Sequence, residues 1–547
     1  MTIQSLCMQR ALGAETKSLI EALPKPVSFW ESPAKHKMST LALISQTGDP
    51  AAIPDIVLLL LDRDRDVSRS AAEAVSKLTR LLSPSELPWL DLVMRERSPY
   101  RWSYPSAWAE LKPDQLPLLE RFGSESVYAL GMASMHFSGY VRDEALRKLS
   151  DAQGGTELPF LLLRLNDWVQ EVRHTAHLLV RERLTTQYAP FFVSSIALVN
   201  RLRLVRRGHQ AEIVGAIERL LKSKDCQEAV EIGMGSPDGH VKRACYELAF
   251  ESASFDQVPL IERALSEKDP AVRLRGAERI SVLPNADSMD HLLSRARDDR
   301  FAPVRRKALQ VFSERFPERA RPWLEHALTD SHPSLRGYAQ FELGKGSDFD
   351  LRAFYQGVLG KSEPATLYAA ISGVGETGIS SDTSLVIAHL SHRVPRVRRA
   401  VLRTLARLHA EEFVDLFAER LLDHAPSVSR EAMRGLAKVL HLITGERLWT
   451  VFAAATEDHV RRNALFLVAR LSKWESIGYL VEALDSNAED LRKLAESYLR
   501  RWYARFNSSF TAPTKPQVER LTVAMQKSGA SLDRSIRGQI EFGIRAF

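Results

Sequence analysis

An Asp-Arg-Asp-Arg-Asp run at residues 62–66, with Glu73 closing twelve residues, has the carboxylate spacing of an EF-hand calcium loop. Such a loop needs glycine at its sixth position to make a sharp turn, and this sequence has Val67 there. The missing glycine favours a different interpretation. We predict that the run is a turn between two helices and that no metal binds it.

A second pattern, G-x-G-x-x-G, is formed by Gly373, Gly375 and Gly378. A dinucleotide-binding fingerprint follows a β-strand and opens a helix, because the glycines bring the backbone close to a pyrophosphate. Here a helical pattern, residues 366–372, precedes the glycines instead. We therefore interpret the stretch as a turn between repeated units and predict no cofactor.

Two histidine pairs, 174/177 and 389/392, are spaced so that each pair could share one face of a helix. Neither pair has a third ligand nearby in the sequence, and no His-Glu-x-x-His motif occurs. The sequence also has no nucleophile elbow, P-loop or kinase signature. We predict no catalytic residues, and no small-molecule substrate is evident.

Arginine is concentrated in two stretches, "NRLRLVRRGHQA" and "HLSHRVPRVRRAVLRTLARLHA", that have almost no acid of their own. Arginine forms planar, bidentate contacts with carboxylates and phosphates, so these stretches are candidates for binding an anionic partner. The alternative is an internal ladder in which each arginine pairs with an acid of a neighbouring repeat. The candidate binding residues are Arg201, Arg203, Arg206, Arg207, Arg393, Arg396, Arg398, Arg399 and Arg403.

Two aromatic clusters complete the candidates. Residues 85–111 include Trp102 and Trp108, and residues 498–506 interleave Arg500 and Arg501 with Trp502. Aromatic and arginine side chains together suit protein-binding hot spots and stacking on bases. In an irregular repeat they can instead fill a wider gap between packed layers.

The composition limits the class of protein. The chain has 547 residues, a formal net charge of +7 and 45% hydrophobic residues, which indicates a protein with a large core. Its three cysteines are too few and too scattered for a disulfide framework, so we predict a reducing, cytoplasmic location. The N-terminus has no signal-peptide pattern, and the longest apolar runs are too short to span a bilayer, so we predict no contact with membranes.

The elements that position these residues follow from an internal repeat. An aliphatic anchor recurs every 30 to 32 residues from Val241 to Leu491, and usually a small residue stands four positions after it. Further anchors are Val67, Val141, Val172 and Val205, and ten of the thirteen anchors are followed by Arg or Lys. Each unit has room for two short helices. One such pair cannot bury its apolar face alone, so the units must stack.

The first quoted repeat, residues 47–75, resembles the HEAT superfamily, in particular the short bacterial type named after phycobilisome-lyase HEAT-like repeats. That pattern has Gly-Asp-Pro, Ala-Ile-Pro, an aliphatic run, Asp and then Val-Arg-x-x-Ala. Ser68 departs from it by standing where Arg is expected. The resemblance covers about residues 38–503 and implies an architecture, not an activity. The matching residues are Gly48, Asp49, Pro50, Ala52, Ile53, Pro54, Asp62, Val67 and Ala71.

We therefore predict an all-α fold, a right-handed α-solenoid of about 14–15 HEAT-like helical hairpins. Residues 1–37 are predicted to form an N-terminal helical cap. Residues 38–503 form the repeat solenoid, which is irregular and rich in aromatic residues around 85–111. Residues 504–547 form a C-terminal linker and helical cap.

A stack of this kind offers long surfaces and little enclosed volume, which favours macromolecular partners. We predict a non-enzymatic scaffold that binds a partner protein along the solenoid surface. The alternative is a nucleic-acid-binding protein whose arginine stripes contact the phosphate backbone. The sequence leaves open which of the two partners is bound.

Overall fold

The computed structural model describes residues 11–24, 32–96, 107–204, 210–346, 348–360 and 363–545. All regular secondary structure within these residues is helical, and no β-strand occurs among them. No helix in this described part is long and apolar enough to cross a lipid bilayer. Contacts between helices divide the chain into two compact units, Met1–Ala296 and Arg297–Phe547. The predicted all-α fold class is confirmed.

The helices of the first unit are short, and the last of them ends one residue past its boundary. They are α1 (Ala14–Ala22), α2 (Pro33–Thr47), α3 (Ile53–Ile56), α4 (Arg65–Thr79), α5 (Leu87–Glu96), α6 (Pro117–Glu120), α7 (Ser126–Ala133), α8 (Gly139–Leu149), α9 (Leu158–Arg164), α10 (Gln170–Glu182), α11 (Ala189–Ser194), α12 (Ile196–Leu202), α13 (Gln210–Leu221), α14 (Gln227–Met234), α15 (Gly239–Glu251), α16 (Gln257–Leu265), α17 (Pro270–Arg279) and α18 (Ala286–Arg297).

The second unit is more regular. Its helices are α19 (Ala302–Arg315), α20 (Pro317–Ala327), α21 (Pro333–Leu343), α22 (Leu351–Leu359), α23 (Pro364–Thr377), α24 (Thr383–Ile387), α25 (Pro395–Leu408), α26 (Val414–Arg420), α27 (Pro426–Lys438), α28 (Gly445–Ala454), α29 (Asp458–Val468), α30 (Lys473–Glu482), α31 (Glu489–Ala504), α32 (Lys515–Ser528) and α33 (Arg534–Ile544).

The repeat anchors mark the second helix of each hairpin. Every anchor among the described residues lies in the first turn of a helix and is buried, while Val205 lies outside the described residues. A proline commonly opens these helices, where its missing N–H costs no hydrogen bond. We call them the B helices, and they are α4, α8, α10, α15, α17, α19, α21, α23, α25, α27, α29 and α31.

Most B helices pack against the preceding helix of their hairpin and against a neighbouring B helix of the same unit. In the second unit α24, α26, α28 and α30 pair in this way with α25, α27, α29 and α31. Along one side of this unit, α23 contacts α25, α25 contacts α27, α27 contacts α29, and α29 contacts α31. The same pairing joins α14 to α15 and α16 to α17 in the first unit. Each unit is therefore a stack of helical hairpins, as the repeat predicts.

The small residue four positions after the anchor permits close approach of two helices. Ala71, Ala145 and Ala464 are fully buried at this position. At Gly276 on α17, an added Cβ would lie 3.0 Å from the Cβ of Ala264 on α16. Larger side chains here would push the two helices of a hairpin apart.

The residue after the anchor is an arginine in eight of the twelve B helices, and at Arg142 this side chain bonds both backward and forward along the chain. Nη1 of Arg142 donates to the carbonyl oxygens of His136 and Phe137, at 3.0 and 2.9 Å, in the turn before its own helix. Its Nε and Nη2 donate to the two carboxylate oxygens of Asp167 in the next repeat, at 2.9 and 2.7 Å. We call this arrangement the arginine fork.

The fork recurs in the second unit with the same geometry. Nη1 of Arg398 donates to the carbonyl oxygen of His392 at 2.9 Å, while Nε and Nη2 donate to Asp423 at 2.9 and 2.7 Å. Asp423 also accepts the backbone N–H of Ala425 at 2.9 Å, beside the start of the next B helix. The backward bonds to backbone carbonyls are shared by Arg173, Arg273, Arg305, Arg336, Arg461 and Arg492.

Burial and hydrogen bonding act in opposite directions on the fork carboxylates. Burial alone would raise the pKa of Asp167, but hydrogen bonds and charge from Arg142 and the charge of Arg164 outweigh it and lower that pKa. The pKa of Asp423 is lowered in the same way, against its burial, by Arg398 and the Ala425 N–H. The carboxylates therefore stay ionised inside the stack.

The glycines of the G-x-G-x-x-G pattern lie at a helix–helix contact. Gly373 and Gly375 are inside α23, and Gly378 follows its last residue. A Cβ at Gly373 would lie 2.1 Å from the Tyr355 ring on α22, and one at Gly375 would lie 2.6 Å from Thr404 Oγ1 on α25. The turn expected over the whole pattern therefore begins only at Gly378. Gly373 and Gly375 stand inside the helix, where the absence of a side chain lets α22 and α25 pack closely against α23.

The acidic run at 62–66 caps a helix. Oδ1 of Asp64 accepts the backbone N–H groups of Asp66 and Val67, at 2.9 and 3.2 Å, at the start of α4. Asp62 pairs with Lys37 at 2.7 Å. Carboxylates at a helix N-terminus satisfy N–H groups that have no partner within the helix. The predicted turn is therefore confined to residues 62–64, because Asp64 caps a helix that already begins at Arg65.

We predict that Asp167→Asn lowers the free energy of unfolding by about 3–5 kcal/mol, because it leaves the buried Arg142 without its counter-ion. Urea denaturation measures the change. The control is Glu489→Gln, which breaks the exposed Glu489–Lys493 pair and should cost less than about 0.5 kcal/mol. Equal effects of the two substitutions would contradict a structural role for the fork.

We also predict that Gly373→Ala destabilises the second unit by about 1–3 kcal/mol, since the new methyl group overlaps the Tyr355 ring. The matched control is Gly357→Ala on α22, where an added Cβ meets no atom within 4 Å. That change should raise stability by up to about 1 kcal/mol through helix propensity. Thermal unfolding of both variants would test the contact, and similar melting temperatures would refute it.

Candidate partner-binding surface

The first arginine stretch is only partly described. Arg201, on α12, is exposed, and Arg203 pairs with Glu218 on α13. Arg206 and Arg207 lie outside the described residues. The described part of this stretch therefore presents one arginine, Arg201, without a recorded ion pair.

The second stretch divides between the interior and two surfaces. Arg398 is 5% exposed and belongs to the arginine fork, so we leave it out of any binding surface. Arg393 is exposed at the turn before α25, in a cleft of about 580 Å³ that His392 and His424 also line. Arg396 is exposed and lies over the Tyr368 ring, 4.1 Å from its centroid. These three neighbours in sequence thus have three different environments.

Arg399 and Arg403 lie on the outward side of α25. Arg399 is half-buried and has no carboxylate partner among the described residues. Arg403 is exposed, and its Nε and Nη2 donate to Glu431 of α27 at 2.9 and 2.6 Å. Hydrogen bonding to Glu431 raises the pKa of Arg403.

Both described tryptophan candidates are buried. Trp108 is 3% exposed, and its carbonyl accepts a hydrogen bond from Nε2 of His136 at 3.0 Å. Trp502 is 8% exposed, packs edge-on against Trp474, and donates from Nε1 to the Lys473 carbonyl at 2.8 Å. These two side chains fill gaps between helices, while Trp102 lies outside the described residues.

Arg500 and Arg501, which precede Trp502 on α31, are exposed. Nη2 of Arg500 lies 3.7 Å from Glu496 one turn earlier, and Arg501 lies 6.0 Å from the centroid of the Tyr498 ring. Arg501 therefore points away from the packed interior.

The exposed side of four consecutive B helices carries a regular set of cations. For α25, α27, α29 and α31, the residues two, six and ten positions after the anchor lie along one side, because a four-residue step is close to one helical turn; the last of these in α29, Arg470, stands two residues past the helix end. Nearly all of these positions are exposed, and ten of the twelve are Arg or Lys. We call this surface the basic face, and it consists of Arg399, Arg403, Arg407, Arg430, Arg434, Lys438, Arg462, Phe466, Arg470, Lys493, Ser497 and Arg501.

Hydrogen bonds between helices hold the basic face together. Lys438 of α27 donates to the Ala406 carbonyl of α25 at 2.8 Å. Asn463 of α29 donates to the Ser429 hydroxyl of α27 at 2.8 Å. The cations are thus carried on helices in direct contact, so the basic face is one continuous surface.

Acids neutralise part of the basic face. Glu431 is buried beneath Arg403 and Arg434, the second at 3.3 Å. Asp490 and Glu489, both largely exposed, pair with Arg462 and Lys493. Exposed pairs of this kind are weak and exchange readily with an external anion.

The four cations that stand ten positions after the anchors form a column, and no acid of the described residues neutralises them. Arg407, Lys438, Arg470 and Arg501 have no carboxylate within ion-pair distance among the described residues, and all four are exposed. The guanidinium of Arg470 instead lies 5.3 Å from the centroid of the Phe466 ring. This column can therefore accept anionic groups without losing an internal pair.

The same positions in the first unit have a different charge. On α15 and α17 the residues six or ten positions after the anchor include Glu247, Glu251 and Glu278. Arg275 pairs with both Glu247 and Glu278, at 2.7 and 2.8 Å. This part of the first unit has alternating charge, whereas the basic face is predominantly positive.

Sequence reasoning missed seven of the ten cations of the basic face. It selected Arg399, Arg403 and Arg501. It did not select the cations that stand six and ten positions after the anchors of the neighbouring helices, such as Arg407, Arg434, Lys438 and Arg470. The available signal was the 31-residue repeat combined with a four-residue step within each B helix. Reading basic residues along the chain alone could not reveal it, because the columns run across helices.

The contacts and charges above define a helical-repeat protein with an exposed cationic surface. No family model and no curated protein matches the chain. Among solved structures, it is similar to importin beta in an ammonium sulfate condition, with a TM-score of 0.37 and 11% identity over 97% of this chain and 72% of that chain. It is also similar to importin beta in a polyethylene glycol condition, with a TM-score of 0.36 and 12% identity over 97% of this chain and 82% of that chain.

A third similar structure is Kap121p bound to Nup53p, with a TM-score of 0.31 and 11% identity over 97% of this chain and 57% of that chain. At these scores the three likenesses carry no argument about what this chain binds. The helix contacts and the charges of its own residues are the basis for the function considered below.

The burial of His136 beside Trp108 leads to a prediction about the pH dependence of stability. Burial lowers the pKa of His136 from 6.5 to about 4, because the charged imidazolium is poorly solvated there. Between these values the unfolded chain binds a proton that the folded chain does not, so stability is full above pH 6.5 and falls as the pH drops towards 4. We expect a loss of about 2 kcal/mol from this group between pH 7 and pH 5.

Urea denaturation at the two pH values would measure this loss. In His136→Gln the difference between pH 7 and pH 5 should shrink by about 2 kcal/mol. In His291→Gln, which changes an exposed histidine, it should stay as in the original chain. An unchanged pH dependence in His136→Gln would refute the prediction.

Proposed function

We propose that the protein is a non-enzymatic scaffold that binds the acidic segment of a partner protein on its basic face. The single observation that carries this proposal is the column of four exposed cations on α25, α27 and α31 and just past the end of α29, none of which pairs with a carboxylate of the described residues. Complementary charge raises the association rate and selects an acidic partner. No enclosed active-site pocket is required for such a role.

A protein partner is favoured over nucleic acid by the composition of the surface. Glu431, Glu489 and Asp490 lie among the arginines, and carboxylates oppose a polyphosphate backbone. Of the tryptophans that the sequence indicates for stacking on bases, the two that the structure describes, Trp108 and Trp502, are buried in the core. A partner with a limited number of acids fits the available cations better than a continuous phosphate chain.

Two finer assignments accompany the proposal. We infer that the repeats are of the short bacterial HEAT-like type, because the period of 30 to 32 residues and the residues 47–75 resemble that pattern. We also infer a cytoplasmic location. In support, Cys226 and Cys245 are buried and free, and burial raises the pKa of the Cys245 thiol to about 12, which keeps it protonated and unreactive.

The test uses a fluorescein-labelled peptide of ten glutamates and the full-length chain at low salt. We expect saturable binding by fluorescence anisotropy that weakens as salt rises. Arg407→Glu combined with Arg430→Glu should reduce the affinity at least about tenfold, because each reversal replaces an attraction with a repulsion. Both arginines are exposed and neither forms an ion pair with a described residue, so the fold should keep its melting temperature.

The matched control is Arg69→Glu combined with Lys77→Glu. These exposed residues of α4 occupy the same two repeat positions, and the charge change is equal. The control should bind the peptide within about twofold of the original chain. A loss of binding in both variants would indicate only a net-charge effect, and tighter binding of single-stranded or duplex DNA than of the peptide would favour the nucleic-acid alternative; either result would overturn the proposal.

A further inference from the structure

The cation column of the basic face also indicates the conformation of what it binds. Arg407, Lys438 and Arg501 lie in α25, α27 and α31, and Arg470 lies in the turn two residues past the end of α29, so packing of these four helices sets their spacing. Packed helix axes are about 8–10 Å apart, which gives a column of about 24–30 Å from the first cation to the fourth. A ligand that meets every cation needs one anionic group about every 9 Å.

The column is not a by-product of the repeat. A cation in the last turn of a helix interacts favourably with the helix dipole, so each B helix might be expected to end in one. Two of the three preceding B helices do not follow that rule: α19 and α23 have Glu314 and Thr377 at the same position, while α21 has Lys345. The continuous run of four cations is therefore a property of α25–α31 and not of every hairpin.

The apolar content of the surface argues against a helical ligand. Helix-in-groove recognition requires a hydrophobic groove for the apolar face of an amphipathic helix. The only apolar side chain of the basic face is Phe466, which is half-buried and covered on one side by Arg470. Short isolated helices are also marginally stable in water, so without an apolar groove the cost of forming one is not recovered.

An extended β-strand has the wrong periodicity. Its side chains alternate between two faces, so residues on one face recur about every 6.6 Å or about every 13 Å. Neither value fits a repeat of about 8–10 Å between helices. A polyproline II segment has three residues per turn and a rise of about 3.1 Å, which places every third side chain on one face about 9 Å apart.

We infer that the basic face binds an extended, polyproline II-like acidic segment with Asp or Glu at every third position. This inference rests on the proposed function and adds the spacing and conformation of the ligand. Four acids, ten residues from first to last, pair with Arg407, Lys438, Arg470 and Arg501 in order along the four helices. Acidic, weakly hydrophobic sequences stay unfolded alone and populate this conformation, so little ordering is required on binding.

Two labelled peptides of identical composition test the spacing with the full-length chain. The first has four aspartates at every third position among proline, alanine and serine, and the second has the four aspartates together. We expect the first to bind at least about fivefold more tightly by fluorescence anisotropy, since only it reaches all four cations at once. A third peptide, a helix with glutamate at every seventh position, should bind more weakly than the first.

Removing one cation distinguishes a peptide that contacts all four cations from one that contacts only some of them. Arg470→Gln should weaken the spaced peptide about threefold to fivefold, consistent with a loss of up to about 1 kcal/mol for an exposed ion pair. It should weaken the clustered peptide by less than about twofold. The control, Lys77→Gln on α4, should change neither affinity.

The outcomes distinguish this inference from the proposed function. Equal affinity for the spaced and clustered peptides, or tighter binding of the helical peptide, would overturn the inference and leave an acidic-segment scaffold intact. No binding of any acidic peptide at low salt would overturn the proposed function itself. A spaced-peptide preference that survives Arg470→Gln unchanged would place the ligand elsewhere and would also overturn the inference.

Discussion

The structure depends on the need of each buried arginine fork for a complete set of acceptors. A guanidinium taken out of water must find partners for its donors, or the stack loses several kcal/mol. Arg142 and Arg398 meet this need with the backbone carbonyls of their own turn and the carboxylate of the next repeat. One side chain thus fixes the turn within a hairpin and the distance to its neighbour.

The aspartates of the fork have two roles at once. Asp423 accepts from Arg398 and from the N–H of Ala425, so the start of the next B helix is capped by the residue that joins the repeats. The pKa of Asp423 is lower in the folded protein than in the unfolded chain. Its contribution to stability is therefore complete above the unfolded-state pKa and is lost as the pH falls through the folded-state pKa. Helix capping and repeat stacking are therefore one interaction here.

Because the buried groups of each unit bond to one another, the residues at the outward positions of the B helices can vary. The anchor, the small residue and the fork are satisfied inside each unit, so the core does not dictate the charge at the second, sixth and tenth positions, even though Arg403 and Lys438 also bond to neighbouring helices from there. The first unit has Glu247 and Glu278 on this side, while the second has Arg407 and Lys438. The difference is what we expect if a partner, rather than the fold, selects these residues.

The sequence by itself determined the repeat, the anchors and the all-α class, because helical periodicity and small-residue spacing are local properties of the chain. The absence of one glycine also indicated a turn at the 62–66 run, although the structure shows that its last two residues already belong to α4. Only the tertiary structure decided that Arg398 is internal and Arg399 outward, although they are adjacent in sequence. It likewise showed that Gly373 accommodates the Tyr355 ring and that Trp108 and Trp502 are core residues. The reason is physical: a side chain's environment depends on which helices pack around it, and columns that cross several helices exist only once those helices are stacked.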